Sequence, residues 1–253
     1  MGDTTGISYV DHTWNCWQGC HEVSAGCLHC FMYRDKIRYG QDPSVVVRSK
    51  PHTFNSPTRW KEPAVVFVCS WSDFFIEEAD PWRDEAWDII RRTPHLTYVI
   101  VTKRPERIVG HTPPGWPRDF GHVWVLATTE NQEQADIRVP ILLTTPCPHR
   151  GVSVEPMLGP VDLEGAFTRP GFDGIEQVVL GGESGSKARP YCCAWGRRLI
   201  EQCADAGVPV YHKQVGANFI DGCGARFVIK HRSGANPAEW PEYLRVQQLA
   251  WRK

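Results

Sequence analysis

The chain of 253 residues has a formal net charge of -1 and contains ten cysteines. A near-zero net charge provides no general attraction for nucleic acid or an anionic membrane, although it does not exclude a local basic groove. No apolar run approaches the length of about 18 residues that a membrane span requires. The length allows one substantial core. Ten cysteines without an export signal predict a reducing cytoplasm, where clustered thiols serve metal binding or catalysis.

The first predicted elements surround a cysteine-rich segment. Ile7–Val10 is a candidate first strand, and Phe31–Tyr39 lacks helix breakers until Gly40, so a helix is predicted there. Residues 42–63 contain four prolines and are predicted to form an irregular connection, with a short strand at Ser44–Val47.

The cysteine-rich segment between these elements predicts a metal centre. It places four cysteines within fifteen residues, namely Cys16, Cys20, Cys27 and Cys30. The last three form a Cys-x6-Cys-x2-Cys run, and thiolates at such spacing can converge on one soft metal centre. We favour an iron-sulfur cluster that is held by three thiolates and leaves one iron free to bind a small molecule.

Three alternatives to this cluster remain open from the residues alone. A closed zinc site could draw on the same cysteines together with His21 and His29. Disulfides are a second alternative, and burial as small hydrophobic residues is a third.

From Ala64 onward, apolar runs of strand length alternate with helical patterns, which is typical of parallel βαβ units. The predicted strands are Val65–Cys69, Leu96–Thr102, Val123–Ala127, Gly151–Glu155, Gln177–Gly181 and Val208–His212. The predicted helices are Trp82–Arg92, Pro105–Val109, Asn131–Ile137 and Cys192–Ala206, and Ile141–Thr144 is either a short strand or a helix end. We expect an α/β fold, a complete or partial barrel of about six parallel strands with an N-terminal cysteine loop. Residues 1–216 are expected to form this barrel, and residues 217–253 a C-terminal extension packed on the same domain.

Polar residues follow most of the predicted strands, at the end where a parallel barrel carries its chemistry. They are Ser70, Ser72 and Asp73; Thr102, Lys103 and Arg104; Thr128, Thr129 and Glu130; Glu155; Gly181, Gly182 and Glu183; and Lys213. Paired glycines let backbone N–H groups approach a ligand, and Glu183 could accept a hydrogen bond from an amine or hydroxyl. A tight turn that needs glycine is the rival explanation for Gly181 and Gly182.

Several motifs in this order resemble one family. They are Thr13-Trp-Asn, Gly19-Cys20, Ser24-Ala-Gly-Cys27, His29-Cys30, Ser70-Trp-Ser-Asp-Phe74, Thr102-Lys-Arg-Pro-Glu-Arg107, Val152-Ser-Val-Glu-Pro-Met-Leu-Gly-Pro160 and Gly181-Gly-Glu-Ser-Gly185. Over residues 8–216 the chain resembles a phage-associated radical SAM-like family that is found in tailed-phage genomes and in bacteria. Most radical SAM enzymes have three residues in the first cysteine gap and an early Gly-Gly-Glu. This chain has the longer gap of the resembled family and a late Gly181-Gly-Glu183.

The resemblance implies a cofactor set and roles for individual residues. Cys20, Cys27 and Cys30 would hold a [4Fe-4S] cluster whose free iron chelates the amino and carboxylate groups of S-adenosylmethionine, leaving Cys16 as an extra thiol. Reductive cleavage would then start hydrogen abstraction from the substrate. The cofactor-binding residues would be Ser70, Ser72, Asp73, Gly181, Gly182 and Glu183. The catalytic residues would be Glu155, Glu183 and Lys213, with Lys103, Arg104 and Trp71 contacting substrate.

The resemblance also implies partners. Some members of the family look like thymidine-hypermodification enzymes, which isomerise an N-linked glycinyl-thymidine to its C-linked form in phage DNA. DNA would then be the substrate, with Lys103, Arg104, Arg107 and the Arg197-Arg198 pair as phosphate contacts. Trp71 would stack on an exposed base. The reaction would require an electron donor such as flavodoxin or ferredoxin, and no membrane partner is expected. The oligomeric state is not predicted.

Three other functions compete with this one. A radical SAM enzyme could act on another nucleic-acid substrate, as spore photoproduct lyase does. A zinc-stabilised nucleic-acid-binding module would use the cysteines without catalysis. A metal-independent barrel hydrolase would use Glu155 and Glu183 as an acid-base pair.

Overall fold

A computed structural model describes residues 5–252, which divide into two compact units. The first unit comprises the residues up to Ala127 together with Thr144–His149. The second comprises Thr128–Leu143 together with the residues from Arg150 onward. Within residues 5–252, no helix has the length and apolar character needed to cross a membrane.

The first unit carries the cysteine-rich segment and a run of parallel strands. Its elements are β1 His12–Trp14, β2 Trp17–Gln18, α1 Phe31–Arg38, β3 Val47–Arg48, α2 Pro51–Phe54, β4 Ala64–Val68, α3 Asp80–Arg92, β5 Leu96–Thr102 and β6 Val123–Thr128. Strands β1, β4, β5 and β6 are neighbours in that order and all pair in parallel. Strands β2 and β3 form a separate antiparallel pair, and Cys20, Cys27 and Cys30 lie in the chain between them.

The second unit continues the βαβ pattern. Its elements are α4 Gln132–Thr144, β7 His149–Val154, β8 Gln177–Gly181, β9 Tyr191–Cys192, α5 Cys193–Ala206, β10 Val210–Gln214 and β11 Phe219–Ile220. Strands β7, β8 and β10 are parallel neighbours, and β9 pairs in parallel with β11. All five residues of β8 are buried, as expected for a parallel strand covered on both faces.

Short 3-10 helices connect these elements. They span Ala25–Cys27, Ser56–Arg59, Glu77–Ala79, Pro105–Arg107, Arg118–Phe120, Glu164–Ala166, Pro237–Glu239 and Glu242–Leu244.

The structure confirms the α/β class and the parallel pairing. The first unit contributes four parallel neighbours, β1, β4, β5 and β6, and the second contributes three, β7, β8 and β10, where about six strands were expected in all. Such parallel runs are compatible with a partial barrel, and the radical SAM-like architecture stays a prediction.

Two local predictions were wrong in detail, and the structure resolved a third in favour of the helix end. The first strand is His12–Trp14 rather than Ile7–Val10, and the pairing with β4 begins at His12 opposite Val66, directly after Asp11 exchanges hydrogen bonds with Val65. Ile141–Thr144 belongs to α4, which continues past Pro140. The strand placed at Ser44–Val47 is instead Val47–Arg48, paired with β2.

An aromatic core supports the cysteine-rich end of the first unit. The rings of Trp17 and Phe74 stack with centroids 5.1 Å apart, and Trp87 contacts Phe74 edge-on at 5.0 Å. The Trp17 indole N–H donates to the carbonyl oxygen of Asp73 at 3.0 Å. The loop after β4 is therefore held by packed aromatic residues as well as by its own turns.

The C-terminal segment packs within the second unit. Val215 N donates to Gly234 O at 3.0 Å, and Gln248 N donates to Val210 O at 2.9 Å. Trp240 is buried and its ring lies 4.6 Å from that of His212. The domain boundary expected at residue 216 stays a prediction.

Candidate functional site

The cysteine-rich segment is tied to the loop that follows β4. Gly19 has φ +96°, and a Cβ at this position would lie 2.2 Å from the carbonyl oxygen of Val45, so a side chain has neither the conformation nor the space. Gly19 N donates to Trp71 O at 3.0 Å, and the Ser72 hydroxyl donates to Gly19 O at 2.6 Å. These bonds place Cys20 beside the carboxyl end of β4.

Three half-buried thiols lie in one short segment together with Tyr33. Cys27 ends a 3-10 helix, Cys30 directly precedes α1, and the Tyr33 hydroxyl of that helix donates to the carbonyl oxygen of Cys20. The pKa of Tyr33 is raised to about 12, first by burial and then by the neighbouring charges, which include those of Cys20, Cys27 and Cys30. All three thiols are thus within electrostatic reach of the same hydroxyl.

Cys20 sits in the most structured environment of the three. Its pKa is raised to about 12, first by burial and then by the charge of Asp73, and the guanidinium of Arg104 opposes both effects. Arg104 Nη1 lies 3.9 Å from the Cys20 sulfur, and Nη2 donates to His21 O at 3.0 Å. Without a bound metal Cys20 is a neutral thiol at pH 7, so metal binding has to displace its proton.

Asp73 organises the ends of β4 and β5. Its Oδ1 accepts from the Thr102 hydroxyl at 2.7 Å and from Phe75 N at 2.9 Å. Its Oδ2 accepts from Lys103 N at 2.9 Å and from Arg104 Nη1 at 3.2 Å. A buried carboxylate with four donors is a rigid anchor for Arg104 and through it for the Cys20 loop.

Asn15 holds the Ser70–Trp71 part of the same loop. Its Oδ1 accepts from the Ser70 hydroxyl at 3.2 Å and from Trp71 N at 3.0 Å. The Trp71 side chain is half-buried. Ser70 and Ser72 therefore use their hydroxyls to hold the loops together, a role that binding a cofactor would have to replace or share.

Cys16 is separate from the three half-buried thiols. It is buried, and its sulfur lies 3.2 Å from that of Cys69, which has φ +59°. His21 Nε2 pairs with Glu78 Oε1 at 2.5 Å. The ligands of the zinc alternative are thus divided among different partners, and in residues 5–252 no three His, Cys, Asp or Glu side chains are close enough to hold a single metal ion.

The donor chemistry nevertheless fits a larger cluster. Cys20, Cys27 and Cys30 are neither fully buried nor fully exposed, and they occupy short turns of one segment. Thiolates are the usual ligands of iron-sulfur clusters, and a four-iron cluster spans a wider set of sulfurs than one ion does.

Glycine in the second unit serves backbone packing. A Cβ at Gly182 would lie 2.4 Å from Val215 O, and one at Gly181 would lie 3.1 Å from Gln214 O. The space that a side chain would need is thus filled by the strand β10 and the residue after it. Close approach of these residues accounts for both glycines without a ligand, whereas the expected tight turn is not the reason, because neither glycine has a positive φ.

Glu155 and Glu183, the two carboxylates predicted to be catalytic, each form an ion pair. Lys213 Nζ lies 3.2 Å from Glu155 Oε1. Glu183 is buried, and both its oxygens accept from the Arg189 guanidinium, at 2.6 and 3.0 Å, while Arg189 N adds a third bond at 2.9 Å. Each carboxylate therefore faces a cation, which argues against Glu155 and Glu183 acting as a free acid-base pair.

Most of the predicted phosphate contacts already have carboxylate partners. Arg104 pairs with Asp73 and Arg107 with Asp80, while Arg197 pairs with Glu201 and Arg198 with Asp162, the last at 3.5 Å. Lys103 is half-buried, and Asp73 holds its backbone N–H. Arg104 thus has a positioning role, and substrate contact by Lys103 and Trp71 stays a prediction.

The structure thus forms two residue groups, one in each unit. The first unit gathers Cys20, Cys27, Cys30, Ser70, Trp71, Ser72, Asp73, Lys103 and Arg104. The second gathers Glu155, Lys213, Gly181, Gly182 and Glu183. Sequence reasoning missed Tyr33 and Arg189. Tyr33 lies three residues after Cys30, but nothing in the sequence marks Arg189 as the partner of Glu183.

Comparison with known proteins identifies a family whose function is described as unknown. No curated protein and no solved structure matches the chain significantly. A family model described as "Protein of unknown function (DUF5131)" matches residues 4–239. Because that match covers most of the 253 residues, the chain belongs to the DUF5131 family.

Proposed function

We propose that this protein is a radical SAM enzyme that isomerises an amino-acid-modified thymidine in phage DNA, converting N-linked to C-linked glycinyl-thymidine. Cys20, Cys27 and Cys30 would hold a [4Fe-4S] cluster, and S-adenosylmethionine would be the cosubstrate. When bound, the cluster supplies the electron that cleaves S-adenosylmethionine and so starts hydrogen abstraction from the substrate.

One observation carries this proposal: three half-buried thiols lie in one short segment, and the first of them, Cys20, lies next to the buried pair of Asp73 and Arg104. Arg104 contributes positive charge beside Cys20, which favours the thiolate that a metal needs. The cysteine motif and its resemblance to a radical SAM-like family point the same way.

In this scheme the residues of the first unit hold the Cys20 loop in place and orient the substrate. Asp73 fixes Arg104 and the N–H of Lys103, and Ser72 fixes the turn before Cys20. Lys103, whose backbone is thereby fixed, would bind a carboxylate or phosphate of the substrate. Trp71 would cover the thymine ring by stacking.

The residues of the second unit would bind the polar groups of cosubstrate or substrate. Lys213, which pairs with Glu155, would bind a carboxylate such as that of the glycinyl group. Glu183 would accept a hydrogen bond from an amine while Arg189 keeps it oriented. Gly181 and Gly182 shape the turn that carries Glu183.

The proposal includes two partners and a compartment. The substrate is DNA, and the electron comes from a donor such as flavodoxin or ferredoxin in the host cytoplasm. Leu28 and Phe31, both exposed beside Cys27 and Cys30, offer that donor an apolar contact surface.

The test begins with protein purified and reconstituted without oxygen. Iron, sulfide and zinc are measured with a visible absorption spectrum, on wild type and on Cys27→Ala. We expect about four irons and four sulfides per chain, and loss of both with the brown colour in Cys27→Ala. Cys223→Ser, which removes an exposed cysteine, is the matched control and should keep the wild-type iron content.

The second step adds S-adenosylmethionine and a reductant and looks for 5'-deoxyadenosine, first alone and then with glycinyl-thymidine DNA. Formation of the C-linked nucleoside, found after digestion of the DNA, would establish the isomerase. Stoichiometric zinc without iron after reconstitution would instead support the zinc-stabilised binding module. If 5'-deoxyadenosine forms but only another nucleic-acid substrate is converted, the result would support the spore photoproduct lyase-like function.

A further inference from the structure

The segment from Phe219 to Arg232, which we call the basic hairpin, is a compact feature of the second unit with no role in the cofactor site. Strand β11 turns back at Asp221, whose N–H donates to Ala225 O at 2.9 Å. Asp221 Oδ1 accepts from Cys223 N and Ala225 N at 2.8 and 2.9 Å, and Phe227 N donates to Phe219 O at 3.0 Å. The tip is therefore an ordered turn rather than a loose loop.

The hairpin is anchored on one side only. Phe219 is buried, its ring stacks on that of Phe227 with centroids 4.4 Å apart, and β11 pairs with β9. Farther along, Glu239 accepts from the backbone N–H groups of Lys230 and His231, at 2.6 and 3.1 Å. His231 Nδ1 also accepts from Ala235 N at 3.1 Å, so His231 helps to fix the segment, whereas the side chains of Arg226, Lys230 and Arg232 take no part in these contacts.

The charge of the basic hairpin is one-sided. Between Asp221 and Glu239 the sequence contains Arg226, Lys230, His231 and Arg232 and no acidic residue. All four are exposed, and across residues 5–252 no carboxylate pairs with the side chains of Arg226, Lys230 or Arg232. Arg107, Arg197 and Arg198, by contrast, are paired with carboxylates. A chain of net charge -1 thus concentrates unpaired positive charge in one short segment.

We propose that the basic hairpin binds the phosphate backbone of DNA. A two-stranded ribbon is narrow enough to follow a groove of the duplex, and arginine and lysine are the usual phosphate ligands. This inference rests on the proposed function for its choice of DNA, but it concerns binding and not the chemistry.

An anionic membrane is the other surface that could attract such charge, and the composition of the hairpin disfavours it. Membrane-surface segments bury a broad apolar face of aromatic and leucine side chains. Here Val228, 89% exposed, is the only large hydrophobic residue of the described hairpin that is mostly exposed, and Phe227 lies against Phe219.

The test measures binding of a short fluorescein-labelled duplex by anisotropy, between about 50 and 200 mM salt. The variant Arg226→Gln/Lys230→Gln/Arg232→Gln is compared with Lys61→Gln/Arg92→Gln/Arg118→Gln, which removes the same charge from exposed residues of the first unit. Three phosphate contacts contribute about 2.7 to the slope of log K against log salt. We expect the hairpin variant to lose most of that slope and to bind at least about tenfold more weakly at the low-salt end, with the control near wild type.

Equal affinity and slope for the hairpin variant and the control would overturn the inference. So would wild-type protein that binds phosphatidylserine vesicles but not the duplex. The two proposals fail separately: loss of DNA binding in the hairpin variant stands even if no iron-sulfur cluster forms, and wild-type binding by that variant leaves the cluster chemistry untouched.

Discussion

The sulfurs of Cys16 and Cys69 lie 3.2 Å apart in the buried interior of the first unit. Burial first, and then the contact with Cys16, raises the pKa of the Cys69 thiol well above its usual range. Both residues are therefore buried in the core, in contrast to the half-buried Cys20, Cys27 and Cys30.

This contrast predicts different results for two alanine variants. Cys16→Ala should keep the iron and sulfide content of the wild type and lose about 1–2 kcal/mol of unfolding free energy, because it leaves a small cavity. Cys20→Ala should lose iron and keep most of its stability. Metal analysis and urea denaturation of both variants check this, and iron loss in Cys16→Ala would place it among the ligands.

Asp73→Asn should destabilise the first unit. The substitution removes the charge that faces Arg104 and exchanges a carboxylate oxygen for a donor, so at least one of its four bonds is lost. We expect a loss of about 2–4 kcal/mol in urea denaturation, because the partner charge stays buried. Asp88→Asn, whose pair with Arg92 is exposed, is the control and should cost well under about 1 kcal/mol.

Gly182→Ala tests whether the Gly-Gly pair serves packing. The added Cβ would meet Val215 O at 2.4 Å, so the β10 end must move, and we expect a loss of about 1–3 kcal/mol in thermal or urea unfolding. Gly165→Ala is the matched control, because a Cβ there meets nothing within 4 Å. A Gly182→Ala protein of wild-type stability that binds S-adenosylmethionine weakly would return the glycines to a ligand role.

His212 predicts a pH dependence of stability. Burial lowers its pKa from 6.5 to about 4. The neutral ring donates from Nδ1 to Leu244 O at 2.8 Å and accepts the Tyr191 hydroxyl at Nε2, 3.1 Å away. Below pH 6.5 the unfolded chain binds a proton that the folded chain refuses, so stability falls as the pH drops from 6.5 to 4.

The full effect of this histidine is about 3 kcal/mol. Unfolding free energies at pH 7 and pH 4.5 should therefore differ more in wild type than in His212→Gln, which has no imidazole to titrate. Because other groups titrate in the same range, the difference between the two proteins is the relevant quantity. Equal pH dependence in both would mean that His212 is not held neutral by the fold.

The sequence by itself determined the class of fold. Apolar runs of strand length, such as Val123–Ala127 and Gln177–Gly181, could only be covered by helices on both sides, and the helices between them left parallel pairing as the solution. It also determined which segment could bind metal, because the spacing of Cys20, Cys27 and Cys30 is a local property of the chain.

Tertiary structure decided which of the predicted site residues are anchors and which belong to the core. The burial of Cys16 against Cys69, the hold of Asp73 on Arg104, and the bidentate pair of Glu183 with Arg189 all depend on the folded path of the chain. The sequence alone does not show whether the partner of a cysteine or an arginine is a metal, a phosphate or a carboxylate. The partner depends on the distances that folding creates, because electrostatic and hydrogen-bond energies change steeply with separation and burial.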